Sequence, residues 1–234
     1  FPIGTNKRFD AIAEDPERGA EFSGLWYWGM TRAPLELIAY IVENDRSYQE
    51  VVTADYMMVN PTTSEILDND LSEVSFEEGA GHLVYKPGQN QGQTVRDDNL
   101  TTRFVQGIGT QVLSWQIIEY PHAGVLNSHA FLSRYPTTET NRNRARARWT
   151  YYHFLGVDIE KSAGRTTDPE ALADTDTPTL NNPACTVCHV LHDPVAGTFQ
   201  NYGNDGNYRD SFGGLDSLPD TYKFPEDFNE NAEP

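Results

Sequence analysis

The sequence predicts a mainly α fold with a few short strands and long loops. Three observations carry this expectation. Apolar residues recur at helical spacing in the segment 31–44, and 143–155 reads as a helix closed by Gly156. A Cys-x-x-Cys-His run falls in a stretch that reads as a helix. Gly, Pro, Asn and Asp crowd the segments in between.

Taken in chain order, the first thirty residues mix polar segments with the aromatic cluster Leu25-Trp26-Tyr27-Trp28. Thr31 then suits a helix cap, with Pro34 in the first turn. Leu35, Leu37, Ile38, Ile41 and Val42 give that helix an apolar face ending near Asn44-Asp45. A second helix is expected from Ser47 to about Met58, stopped by Asn60-Pro61. Residues 60–100 read as a long exposed insertion, with a short strand at His82–Tyr85. Another strand is expected at Val112–Ile118. Asn143 to Leu155 reads as a helix closed by Gly156. A Pro/Asp/Thr-rich crossing over 157–183 precedes the motif helix, which is expected to end near Asp193-Pro194. The tail from Asp210 is expected to wrap the surface. The domain organisation that follows is 1–120, a helical region carrying the insertion, and 121–234, the region around the motif.

The chain has 234 residues and a formal net charge of -18, from 35 acidic and 17 basic side chains. Its 38% apolar and 12% aromatic content suits a folded core. The acidic balance argues against nucleic acid and anionic lipid as partners, and suits a soluble protein outside the cytoplasm, a salty habitat or a basic partner, with simple solubility an equal reading. No apolar run approaches the ~18 residues of a membrane span. The chain opens at Phe1 without a signal peptide, and is expected to be a processed protein or a fragment.

Only two cysteines occur, Cys185 and Cys188, followed by His189. Cys-x-x-Cys-His is the attachment pattern of a c-type haem. Two thiols add to the two vinyl groups along one porphyrin edge. A two-residue gap on a helical turn sets both sulfurs along that edge, and the following imidazole can bind the iron. A thioredoxin-like pair would normally follow a strand, whereas Thr175 to Pro183 reads as a polar loop. A zinc site would need a second ligand pair; His189 and His192 offer one only at cramped spacing. A disulfide across two residues is strained. One covalent haem c is therefore the expected cofactor, and a periplasmic or extracellular location follows from it.

The second axial position decides the chemistry. Its candidates are His129 first, then His153, then Met57 or Met58, with His82, His122 and Met30 behind. His192 leaves the same helix as His189 on nearly the same side, so it suits a neighbouring haem or a helix cap instead. The basic knot Arg142, Arg144, Arg146 and Arg148 does not share one helix face. Some of the four are expected to pair with acids, and one or two to hold haem propionates.

Several segments together resemble one family. They are Cys185-Thr-Val-Cys-His-Val-Leu-His-Asp-Pro-Val-Ala-Gly197, Phe199 to Tyr202, and Gly206-Asn-Tyr-Arg209. Upstream come Asn44 to Asn60, Gly124-Val-Leu126, and Arg146-Ala-Arg-Trp149 through Gly156. This order is similar to that of large haem-containing proteins of planctomycetes and related bacteria, known as domains of unknown function of the 1592 and 1588 types. Their glycine two residues after Asp-Pro is displaced here to Gly197, and 60–122 has no counterpart. The resemblance implies a cytochrome c-like C-terminal region with Cys185, Cys188, His189, Arg146 and Trp149 about the haem. It implies no firm activity. Electron transfer as part of a larger redox assembly or oligomer is the favoured expectation. A peroxidase-like enzyme with an open iron position is the alternative, with His122 or His153 as acid/base group and the 60–100 insertion as lid. A third reading makes the haem a core-filling structural element.

Overall fold

The computed structural model describes residues 12–67, 74–89, 93–96, 115–118, 123–162, 164–174, 178–204 and 206. The fold is mainly α with a few short strands, as the sequence predicts. The chain divides into two compact units, Phe1–Ala130 and Phe131–Pro234, so the division falls later than the expected boundary at 120.

The first unit is organised by one long helix, α1 (Gly19–Glu43). It starts well before the expected Thr31. Phe22, Trp26, Gly29, Met30, Ala33, Leu37 and Ile41 are buried along one face. Leu35 and Val42, assigned to the apolar face from sequence, are each 66% exposed. Pro34 lies inside the helix rather than in its first turn. Its ring removes the N–H that the Met30 carbonyl would accept from. One turn earlier, the Thr31 hydroxyl donates to the carbonyls of Tyr27 and Trp28, so it serves the helix interior and not a cap.

The expected second helix shortens to α2 (Glu50–Thr53), and the chain then turns into strand β1 (Tyr56–Val59). β1 pairs antiparallel with β2 (Lys86–Gln89), Tyr56 opposite Gln89 and Val59 opposite Lys86. This pairing overrides the helical pattern of 47–58. Val59 joins Phe22, Trp26 and Met30 in the core, with Met57, Val74 and Phe76 packed against it. Helix α3 (Pro61–Leu67) opens on a reciprocal cap: Thr63 N–H donates to Asn60 Oδ1 at 2.8 Å, and Asn60 N–H to Thr63 Oγ1 at 2.9 Å. The segment His82–Tyr85 is a turn preceding β2 rather than a strand. Strands β3 (Gln93–Arg96) and β4 (Trp115–Ile118) form a second antiparallel pair, so part of the expected insertion is sheet. A 3-10 turn (Gly124–Asn127) leads into α4 (His129–Arg134), which carries the chain across the boundary.

The second unit packs two helices, α5 (Arg144–Leu155) and α9 (Pro183–Gly197), with three short ones between them in sequence: α6 (Ile159–Ser162), α7 (Pro169–Ala173) and α8 (Pro178–Asn181). Helix α5 ends on Gly156 in the left-handed region, φ 69°, as expected. Asn182 caps α9 by accepting from Ala184 N–H at 3.0 Å, and Pro183 fills the first helical position. The helix continues through Pro194 to Gly197, beyond its expected end. Fully buried Ala147 and Ala196 allow α5 and α9 to approach closely. The tail from Asp210 lies outside the described residues.

Candidate haem-attachment site

Helix α9 places Cys185, Cys188, His189 and His192 at positions i, i+3, i+4 and i+7. At ~100° per residue they form one stripe. All four line a single open cavity of about 470 Å³ in the second unit. A volume of this order is that of small-molecule and cofactor sites, roughly 300–1,000 Å³. Trp149, Ile159 and Leu172 supply apolar walls, and Arg148 and Arg165 line it paired with Glu160, Arg148 with Asp158 as well. Neither thiol is in a disulfide, and both are half-buried.

The imidazole of His189 is oriented from behind. Its Nδ1 lies 2.9 Å from Asp193 Oδ1, one helical turn on. Burial alone would raise the Asp193 pKa, but hydrogen bonds from Arg144 and His189 outweigh it and hold the carboxyl below its usual value. An ionised carboxylate only accepts, so the shared hydrogen sits on Nδ1. Among the described residues Nε2 of His189 has no hydrogen-bond partner. Arg144 completes the arrangement with a two-pronged bond, Nε to Oδ1 at 2.7 Å and Nη2 to Oδ2 at 2.8 Å.

His192 is tied to the same arginine. Its Nε2 donates to the Arg144 carbonyl at 2.6 Å. Burial pushes its pKa down, against the smaller opposing effects of that bond and of Asp193. His189, His192 and Asp193 therefore come within 4.8 Å of one another through their ligand atoms. Both Asp193 oxygens and His192 Nε2 are already engaged, so the trio reads as an internally paired cluster. A bare metal ion would have to displace Arg144 from it.

A c-type haem fits these residues. Two free thiols and a free imidazole nitrogen, the three groups it needs from the protein, share one wall of one cavity. Trp149, expected beside the haem, lines that cavity. Arg146, expected to hold a propionate, does not. It is fully buried beneath α5 and donates to the carbonyls of Leu132, Tyr135, Tyr202 and Gly203 and to Asn143 Oδ1. Its donors are occupied by main-chain and amide acceptors. Arg148 instead faces the cavity, paired with Asp158 and Glu160.

None of the described residues expected as the second axial ligand lines the cavity. His153 does not line the cavity; it stacks on Trp149 and shares a 2.8 Å hydrogen bond with the Tyr135 hydroxyl. His129 belongs to the first unit, where its ring lies 6.1 Å from that of Trp26. Met30 and Met58 are buried in the first unit, and Met57 packs against its core. His82 meets Trp28 edge-on. His122 is outside the described residues. Sequence reasoning missed the joint role of Arg144 and Asp193, although the i,i+4 spacing of His189 and Asp193 on one helix was a usable signal. No family model, curated protein or solved structure matches the chain.

Proposed function

We propose that the second unit is a monohaem c-type cytochrome module of an exported protein, serving electron transfer within a larger redox assembly. The observation that carries this reading is the shared cavity wall formed by Cys185, Cys188 and His189. Bound there, haem supplies a one-electron iron(III)/iron(II) couple. The chain's own residues do the rest. The two thiols would hold the haem covalently, His189 would offer Nε2 to its iron, and Trp149 and Ile159 would shield that face from water. Arg148 and Arg165 would offer guanidinium donors to the propionates in competition with Asp158 and Glu160. The open cavity leaves an edge accessible to a partner, and the net charge of -18 favours a basic one. The module takes one electron from a reduced partner and returns it to an oxidised one.

A second reading, a peroxidase-like enzyme, draws on one observation. Among the described residues the cavity is lined by no methionine and by no imidazole besides His189 and His192. That set provides no free side chain of the usual kind for a second strong axial bond.

The test is expression with a cytochrome c maturation system. The wild-type chain should gain the mass of one haem, retained after denaturation. The double variant Cys185→Ala/Cys188→Ala should lose it. A wild-type chain that carries no covalent haem refutes the proposal. A six-coordinate low-spin spectrum unresponsive to peroxide supports electron transfer, and a high-spin ferric spectrum that responds to it supports the second reading.

A further inference from the structure

We propose that Asp193, held by Arg144, is the positioning residue that fixes the tautomer and donor strength of His189, and so keeps the midpoint potential of the haem low. The inference rests on the cofactor reading above.

The geometry is specific. Asp193 is 4% exposed; its Oδ1 accepts from both His189 Nδ1 and Arg144 Nε, and its Oδ2 from Arg144 Nη2. The carboxylate cannot swing away without leaving a charged group unpaired in a buried place. His189 is thereby held with hydrogen on Nδ1 and the lone pair on Nε2. Metal-bound histidines commonly donate their other ring N–H to a carboxylate or carbonyl, and a carboxylate makes the ligand more basic. A stronger donor stabilises iron(III) over iron(II), which lowers the potential. Arg144 moderates the effect, because its positive charge offsets part of the carboxylate's. It also pins the adjoining turn through its carbonyl bond to His192.

Two substitutions then act in opposite directions. Asp193→Asn removes the anion and leaves the Arg144 cation uncompensated beside the iron, so the midpoint should rise. Arg144→Gln leaves the anion with His189 as its remaining partner, so the midpoint should fall. A merely structural pair would shift both variants the same way, or neither. The measurement is redox titration of the haem-bearing full chain and both variants, with the iron–histidine stretching frequency read by resonance Raman. That frequency should drop in Asp193→Asn and rise in Arg144→Gln.

Midpoints that move together, or stay put while the haem remains attached, overturn this inference alone. Absence of covalent haem in the wild type ends the cofactor reading and this inference with it. Should Asp193→Asn not accumulate as a folded chain, nitrogen-15 NMR of histidine in the wild type decides. A protonated, solvent-protected His189 Nδ1 supports the role, and a freely exchanging one overturns it.

Discussion

Replacing Arg146 tests the central packing of the second unit. Its guanidinium makes five hydrogen bonds, to Leu132 O at 3.1 Å, Tyr135 O at 3.0 Å, Asn143 Oδ1 at 2.7 Å, Tyr202 O at 2.8 Å and Gly203 O at 2.7 Å. Hydrogen bonds to a charged group contribute ~1.5–3 kcal/mol each. Bonds sharing one group do not add, so a sum over five overstates the loss. A floor is set by the acceptors left behind. Arg146→Met fills much of the volume but strands the buried carbonyls of Leu132, Tyr202 and Gly203 and the half-buried one of Tyr135, at ~1–3 kcal/mol apiece before relaxation. A loss on the order of 4 kcal/mol is expected, a large fraction of the stability of a domain worth ~5–15 kcal/mol. Arg146→Lys keeps the charge but lacks the planar fork, and should recover only part of the loss. Hydrogen-exchange mass spectrometry over peptides within 131–204 separates this unit from the first. Arg146→Met should lose protection throughout α5 and α9. A variant that keeps its protection and changes only its haem spectrum would show that Arg146 holds a propionate after all.

Three further outcomes are expected. Gly124 and Gly156 both have positive φ, 53° and 69°, but an added Cβ would strike the Val51 carbonyl only at Gly124. Gly156→Ala should therefore cost ~1 kcal/mol and Gly124→Ala several times more, compared by urea midpoints. Pro34→Ala restores a donor for the Met30 carbonyl and should raise the melting temperature of the first unit, by up to ~3 kcal/mol of helix stability; a lower melting temperature would mean that the ring packs productively. The Arg148 hydrogen bond holds the Asp158 pKa below its usual value. Asp158 thus binds fewer protons folded than unfolded. Its contribution is complete above the unfolded value of ~3.9 and is lost as pH falls through the lower folded one. Asp158→Asn should flatten the decline in stability below pH ~4, and an unchanged acid limb would discount the pair.

Features written in short windows of sequence were legible. Helix α5 with its Gly156 terminator and the motif itself depend on neighbours within one or two turns. The failures have a common cause in distant partners. Tyr56 to Val59 continue a helical pattern, yet they pair with 86–89. Gly24, Gly29 and Pro34 argue against a helix through 19–43, yet burial of Phe22, Trp26 and Met30 against Val59 outweighs those local penalties. Four arginines at alternating positions look interchangeable in sequence. Only the carbonyls arriving from 132–135 and 202–203 single out Arg146 for burial, and only Asp193 selects Arg144. At the site, the thiols and His189 were readable from spacing, whereas the cavity walls come from three other helices.

The carbonyls that satisfy Arg146 also impose an order of events. Leu132 and Tyr135 precede it in the chain, and Tyr202 and Gly203 follow by more than fifty positions. During synthesis the guanidinium has a half-finished cradle until Gly203 emerges, and the unit stays unlatched up to that point. Cys185 and Cys188 precede that pair in the chain, so on export as on synthesis they emerge before the latch can close. Chemistry on the two thiols therefore has a window in which the polypeptide is still pliable, and the closing of Tyr202 and Gly203 onto Arg146 seals the second unit afterwards.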